Sequence, residues 1–370
     1  MPVPLLDLRA QHARIREKVV SAMMQVVEDQ TFILGKQVET FEQQIAALSH
    51  TKHAIGCANG SDALLLSLRA LDIGPGHEVI TTPFTFFATA GMTHNSGARP
   101  VFADIDADTF SLNPEAAAAA VTSRTRAVIP VDLFGQMSPV ERYRVAMPSV
   151  PVIEDAAQSI GARRSVDGEW TMAGEMAAIG TFSFFPSKNL GGYGDGGMIV
   201  TQDDHLAKRL RRLRTHGAIK TYVHEEVGFN SRLDTLQAAV LSAKLPFLSE
   251  WSAARRRHAA YYDEAFRDVA DLRTPAIDEA NESIYNQYTI RTDRRDALQA
   301  HLKAQEIGTA IYYPIPLHLQ ECFAYLGYKP GAFPESERAS KEVLSLPVYP
   351  ELAQAQQDMV IEAVRSFFGR

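Results

Sequence analysis

The sequence predicts an α/β protein: a mainly parallel sheet in a large domain, followed by a smaller α+β domain. Two observations carry that reading. From about His53, short apolar runs alternate with longer helix-like segments, and strand–helix alternation of this kind gives parallel strands covered on both faces. After about residue 233 the pattern changes to long helical text with isolated strand candidates. A length of 370 residues allows two or three domains at roughly 150 residues each. The expected division is 1–245 and 246–370, with Pro246 as kink or boundary.

The elements follow in order. Ile15, Val19, Ala22, Met23 and Val26 fall at helical spacing over 12–30, and Val38, Phe41, Ile45 and Leu48 form a second helix after Gly35. The strand candidates are then HAIGCAN, HEVITTP, RPVFADI, TRAVIPVDLFG, VPVIEDAAQ, AIGTFSFFPS and GGMIVT. Between them lie helices such as DALLLSLRALDI and NPEAAAAAV, the latter with Asn113 as cap and Pro114 at its first position. YNQYTIRT and GTAIYYP are the later strand candidates, and AQAQQDMVIEAVRSFF is the last helix.

Composition narrows the function classes. With 46% hydrophobic and 22% charged residues the chain has material for a sizeable core. No apolar run approaches a membrane span, and the charged, helix-like start lacks a signal-peptide core, so a soluble cytoplasmic protein is expected. A net charge of −7 speaks against a general nucleic-acid or anionic-membrane surface. Two cysteines make neither a disulfide framework nor a cysteine metal site, and the eleven histidines show no ligand spacing, so no metal is expected.

In sheets of this kind ligands sit at the carboxyl ends of the strands. Lys188 follows one such run, hemmed by Phe184 and Phe185, in a turn with five glycines from Gly191 to Gly197. Desolvation there lowers an amine's pKa and frees it for a Schiff base, although a solvated loop lysine fits the letters alone. In VPVIEDAAQS the apolar strand ends in Glu154-Asp155, with Gln158 three residues later; a carboxylate so placed pairs with a protonated ring nitrogen or merely caps a helix. Gly60 and Ser61 open a helix after a strand, a phosphate cradle if the helix dipole is used. Phe84, Phe86 and Phe87 offer a ring for stacking on a planar heterocycle, or ordinary core. No G-x-G-x-x-G or Walker-type lysine supports a dinucleotide or P-loop reading.

Cradle, aromatic ring, carboxylate and lysine, in that order, resemble the DegT/StrS family of sugar aminotransferases, through FFPSKNLGGYGDGG, VIEDAAQS, GFNSRLDTLQAA and YYPIPLHLQ. The resemblance implies a fold type I transferase dependent on pyridoxal 5′-phosphate. It makes Lys188 the Schiff-base lysine and proton shuttle, Asp155 the partner of the pyridine nitrogen and Gln158 a contact of the phenolic oxygen. Phe86 would stack on the ring, and Gly60, Ser61 and Ser183 would hold the phosphate, joined by Asn230 from the other subunit of a homodimer. Arg232, Tyr313 and His318 would face the sugar or its nucleotide. Tyr312 stands where close relatives often place His, which leaves the sugar contacts open, and a retained Lys188 argues against the dehydrating branch of the family. The implied reaction moves nitrogen from an amino acid, usually glutamate, to carbon 3 of a nucleotide-linked keto sugar for polysaccharide or glycoconjugate synthesis. A UDP-2-acetamido-3-keto-hexuronic acid comes first, a dTDP-3-keto-6-deoxyhexose second. A pyridoxal-phosphate-fold regulator without turnover is the reading from another class. RLRRLR at 209–214 is read as a solvated helix face.

Overall fold

The computed structural model describes residues 2–369. Helix α1 (Leu8–Asp29) starts earlier than its apolar spacing implies, because the Asp7 carboxylate caps the amides of Arg9 and Ala10 at 2.9 and 3.0 Å. Its face of Ile15, Val19 and Val26 is buried, and Ile15 and Val19 pack with Val240 and Trp251. Gly35, at φ 89°, turns the chain into α2 (Lys36–Leu48), which buries Val38, Phe41 and Ile45.

The strand–helix alternation then builds the main sheet. Its strands are β1 (His53–Cys57), β2 (Glu78–Thr81), β3 (Arg99–Phe102), β4 (Thr125–Ile129) and β5 (Ile153–Asp155). After a peripheral hairpin, β6 (Arg163–Val166) and β7 (Glu169–Met172), come β8 (Ile179–Ser183) and β9 (Gly197–Thr201). Parallel bridges Val128–Val152 and Val131–Asp155 join two pieces into one order, β3-β2-β4-β5-β8-β9-β1. Only β9 in that order runs against its neighbours, with Ser183 of β8 opposite Gly197 of β9. Burial on both faces explains the unbroken apolar runs: Ile55, Val79, Ile80, Val128, Ile153 and Ile199 are each 0–2% exposed. Helix α3 (Gly60–Ala70) follows β1, α4 (Ala88–Asn95) follows β2, and α5 (Pro114–Ala119) is capped by Asn113 as its sequence predicts. α6 (Val140–Ala146) and α7 (Asp204–Leu213) complete this part, and α7 contains most of the RLRRLR cluster. Those arginines are not a freely solvated face: Arg209 pairs with Asp72 and Glu226, and Arg212 with Glu225 and Glu226.

A short hairpin, β10 (Ala218–Lys220) and β11 (Val223–His224), projects Ile219 and Tyr222 at 56% and 93% exposure. The long helical text breaks at Pro246, between α8 (Thr235–Lys244) and α9 (Leu248–Phe266). Beyond it come β12 (Asn281–Glu282), β13 (Tyr288–Arg291), α10 (Arg295–Ala304), α11 (Pro334–Glu342), β14 (Val343–Leu346) and α12 (Gln354–Phe367). β13 pairs with β14, whereas GTAIYYP forms no strand and contributes only the bridge at Ala310, with Ile307 just before it bridging Val3. Tyr262, Phe266, Tyr288, Leu298, Leu344, Val360 and Val364 make a second core, which Val3 joins from the start of the chain. Val3 is fixed there by hydrogen bonds to Glu306 (3.0 Å) and Gly308 (2.8 Å). Among the described residues no helix is long and apolar enough to cross a membrane.

Candidate active site

The carboxyl ends of β1, β5 and β8 bring the site together. At the end of β1, Asn59 Oδ1 accepts from the Asp62 amide at 2.8 Å and starts α3. The first intrahelical bond is Ala63 N to Asn59 O, so the amides of Gly60 and Ser61 are left for a ligand. A Cβ on Gly60 would stand 2.7 Å from the Ser183 Cβ, so the helix start lies directly against the end of β8. Gly60, Ser61 and Ser183 therefore form one concave patch at the positive end of a helix dipole.

Asp155 ends β5 at 5% exposure. Its Oδ2 accepts from Thr89 Oγ1 at 2.8 Å, and its Oδ1 from the Ala157 amide at 3.3 Å. The local bond satisfies the capping role in part, but no helix follows. Burial raises the carboxyl pKa, against the Thr89 and Ala157 hydrogen bonds and the positive charge of Lys188. Lys188 shows the reciprocal effect. Burial pushes its amine down to about 8, and the Asp155 charge opposes the shift. The two groups thus sit close enough to bias each other's protonation.

Gln158, 6% exposed, accepts from the Phe134 amide at 2.7 Å and donates to the Tyr313 hydroxyl at 3.2 Å. The Tyr313 ring lies 6.2 Å from Phe86 and 6.4 Å from Phe84. Burial raises its phenol pKa, and the Asp155 charge adds to the effect. Phe86 keeps 57% exposure, so one ring face is open, whereas Phe84 is fully buried. Asn230 is exposed beyond β11, and Ser231 Oγ accepts from the Ala58 amide at 3.3 Å, tying this segment to the β1–α3 turn. Arg232 is partly exposed and has no ion-pair partner among the described residues.

His318 is placed differently from the expectation. It is 2% exposed, its ring centroid 4.8 Å from that of Phe333, and its Nε2 is 3.0 Å from Glu337 Oε1. The turn Leu317–Leu319 aims it into an aromatic cluster with Tyr328 instead of the open cleft. Two contributors were not singled out from the sequence. Thr89 donates to Asp155 and is itself 3.1 Å from Thr85, a spacing of four visible in TTPFTFFATA. Glu154, immediately before Asp155, is fully buried beside Asp132.

That acid pair makes a pH-dependent contribution. Burial pushes Asp132 up to about 6, against hydrogen bonds from Glu154, from the Ser138 amide at 2.7 Å and from Ser159 Oγ at 2.6 Å. Burial and the Asp132 charge raise Glu154 well above the carboxylate range. Glu154 thus keeps its proton and donates it to Asp132. A folded-state pKa above the unfolded value of about 4.3 means that the folded chain holds a proton the unfolded chain releases. Stability from this group therefore falls as pH rises through that window. Glu154→Gln keeps an N–H donor without needing a proton. Measured on cofactor-free protein, its Tm relative to the parent should rise between about pH 5 and about pH 8; a difference that does not change with pH would refute the held proton.

A seven-stranded order with β9 reversed, presenting an amine to a buried carboxylate beside a helix start, defines a fold type I pyridoxal-phosphate-dependent transferase. The chain belongs to the DegT/DnrJ/EryC1/StrS aminotransferase family, whose pattern it matches over residues 13–365. It is a pyridoxal 5′-phosphate-dependent sugar aminotransferase. A "Pleiotropic regulatory protein" of Geobacillus stearothermophilus is 50% identical, covering 100% of this chain and 99% of that one. The UDP-2-acetamido-2-deoxy-3-oxo-D-glucuronate aminotransferase of Pseudomonas aeruginosa is 43% identical over 98% of this chain and 99% of its own. The dTDP-3-amino-3,4,6-trideoxy-α-D-glucose transaminase of Streptomyces venezuelae is 40% identical over 100% and 97%. The crystal structure of S. venezuelae DesV in complex with a ketimine intermediate superposes with a TM-score of 0.97, at 39% identity, over 100% and 99% of the two chains.

Proposed function

We propose that this enzyme moves an amino group from an amino acid, L-glutamate first, to carbon 3 of a nucleotide-linked keto sugar. The first choice of acceptor is a UDP-2-acetamido-3-keto-hexuronic acid. The observation that carries the reading is the mutual placement of Lys188, Asp155 and Gln158 at adjacent strand ends. Pyridoxal 5′-phosphate, when bound, supplies an electron sink for the bond-breaking at carbon. Asp155, its charge held by Thr89, stands as the anion that keeps the ring nitrogen protonated. Lys188 takes and returns the carbon-bound proton, a task that a buried amine of lowered pKa suits. Gln158 orients Tyr313 and would reach the cofactor's phenolic oxygen, and Gly60, Ser61 and Ser183 would hold its phosphate. The donor gives up its amine and becomes a 2-oxo acid whose new oxygen comes from one water, and the sugar's keto oxygen leaves as one water when the amine replaces it.

Asn230 would complete the partner subunit's phosphate site in a homodimer, a role that its exposed position permits. The apolar Ile219, Tyr222 and Val227 exposed nearby, 56–93%, favour a second copy packing on this face. The protein would work in the cytoplasm, in polysaccharide or glycoconjugate synthesis. Two relatives named for UDP-linked sugars support the substrate class at 42–43% identity, against 39–40% for three named for dTDP-linked sugars. The unpaired Arg232 is the side chain for a sugar carboxylate, which a guanidinium grips in bidentate fashion. Arg232→Ala should lower kcat/KM for the uronic acid about tenfold or more and leave a 6-deoxy analogue within about threefold. Equal losses would favour the dTDP-3-keto-6-deoxyhexose. A regulatory role without turnover has the name of the 50% identical relative behind it, yet Lys188, Asp155 and Gln158 are all retained here. Incubation with glutamate and a panel of nucleotide-linked keto sugars, with the product identified by mass and NMR, tests the proposal; no amination of any 3-keto sugar would overturn it.

A further inference from the structure

The loop that carries Lys188 is closed on itself. Lys188 N donates to Phe185 O at 2.9 Å and Gly192 N to Phe184 O at 2.8 Å. A Cβ on Gly191 would lie 2.2 Å from Pro186 O, so only glycine fits that crossing. Outward anchors come from two sides. Lys244 Nζ, at the end of α8, donates to Gly191 O at 2.5 Å. On the other side the residue directly after the lysine, Asn189, is 3% exposed and reaches away from the sheet. Its Nδ2 donates to Ile284 O at 3.0 Å, and its Oδ1 accepts from Asn286 Nδ2 at 2.8 Å.

The segment it grips is itself tied to the Gln158 side of the site. Ile284 N and Ser283 Oγ donate to Gly135 O at 2.9 and 3.0 Å, next to the Phe134 amide that Gln158 accepts. A Cβ on Gly135 would stand 2.6 Å from Asn286 N, so the two backbones are in direct contact. From behind, Arg255 Nη1 donates to the carbonyls of Tyr285, Asn286 and Val348 at 3.1, 3.3 and 2.8 Å. Segment 283–286 is thus a strap, fixed at 135 and at 348, with the lysine loop pegged to it by one pair of amides.

We propose that Asn189 and Asn286 are a positioning pair that sets where the Lys188 amine stands relative to Asp155 and Gln158, without touching cofactor or substrate themselves. The pair suits that task chemically. Two neutral amides match donor to acceptor on both bonds and add no charge beside an amine that must shed its proton. A carboxylate at 189 would set an acceptor against Ile284 O and an anion beside the lysine. The inference rests on Lys188 being the reacting amine.

Both levels can be read separately. Borohydride reduction of cofactor-loaded wild-type protein, followed by peptide mapping, should place the cofactor mass on Lys188; its absence there would defeat the functional reading. On cofactor-free wild type, Asn189→Ala, Asn286→Ala and the double variant, limiting acetic anhydride should be applied and Lys188 labelling measured against Lys208 and Lys220. Each single variant should change relative Lys188 labelling about fivefold or more, and the double variant should add little, because the two side chains act as one unit. In the loaded enzyme kcat should fall about ten- to a hundredfold, as for a small misplacement of a reacting group, with the KM for the sugar within about threefold. Where the alanine variants do not fold, Asn286→Leu, which keeps the branched shape and removes the donor without adding a charge, carries the same test. Lowered Tm with Lys188 labelling and kcat unchanged would reduce the pair to a structural contact and overturn the inference.

Discussion

Lys188→Ala is expected to abolish amination of the sugar, with kcat reduced by about 10⁴-fold or more, since general acid–base catalysis alone supplies about 10²–10⁴. On the proposed reading the amine is the proton carrier, and no other lysine among the described residues shifts the Asp155 carboxyl. With its pKa near 8, about a tenth of the amine is neutral at pH 7, against about one part in 2,500 for an ordinary lysine. Lys188→Arg should be nearly as inactive, because a guanidinium stays charged at any working pH and is no nucleophile. The measurement is a single-turnover assay together with the borohydride map. A variant that retains more than about a hundredth of the parental rate would contradict the assignment.

Asp155→Asn should be the second large loss, about 10²- to 10⁴-fold in kcat, with the cofactor still bound. Removing one partner of a buried charge pair costs about 3–5 kcal/mol, and each 1.36 kcal/mol is tenfold in rate. The change is nearly isosteric, and Thr89 Oγ1 can still donate at its 2.8 Å position, so folding should survive. Cofactor retention measured by absorbance, beside kcat at saturating substrate, separates charge from shape. Activity above about a tenth of wild type would show that ring protonation does not depend on this carboxylate.

The sequence exposes the elements whose burial it encodes directly. The sheet strands read as apolar runs because they are covered on both faces, and Pro246 and Asn113 mark a helix junction and a helix start by chemistry local to each. The reversed direction of β9 is not written in GGMIVT, since an apolar run carries no arrow. GTAIYYP reads as a strand yet finds only bridge partners, and Val3 joins a core assembled from residues more than two hundred positions later. At the candidate site the positions of Asp155, Gln158 and Lys188 were legible from the strand ends: Asp155 closes β5, Gln158 lies just beyond it and Lys188 lies beyond β8. Their supports, Thr89, Asn189 and Asn286, were not, because hydrogen bonds across such separations leave no periodic trace. His318 shows the opposite error: a polar letter in a site-like string, turned inward by Phe333 and Tyr328 from farther along the chain.

Reversal of β9 has a mechanical consequence. Since Ser183 and Gly197 face each other, the lysine-bearing segment leaves and re-enters the sheet at neighbouring points, with no crossover helix between its feet. Such a segment cannot drift as a whole, and the travel of the amine is then set by rotation about the bonds of its own four-carbon stem. A few ångströms of swing is what passing a hydrogen between adjacent atoms demands, and the architecture grants little beyond it.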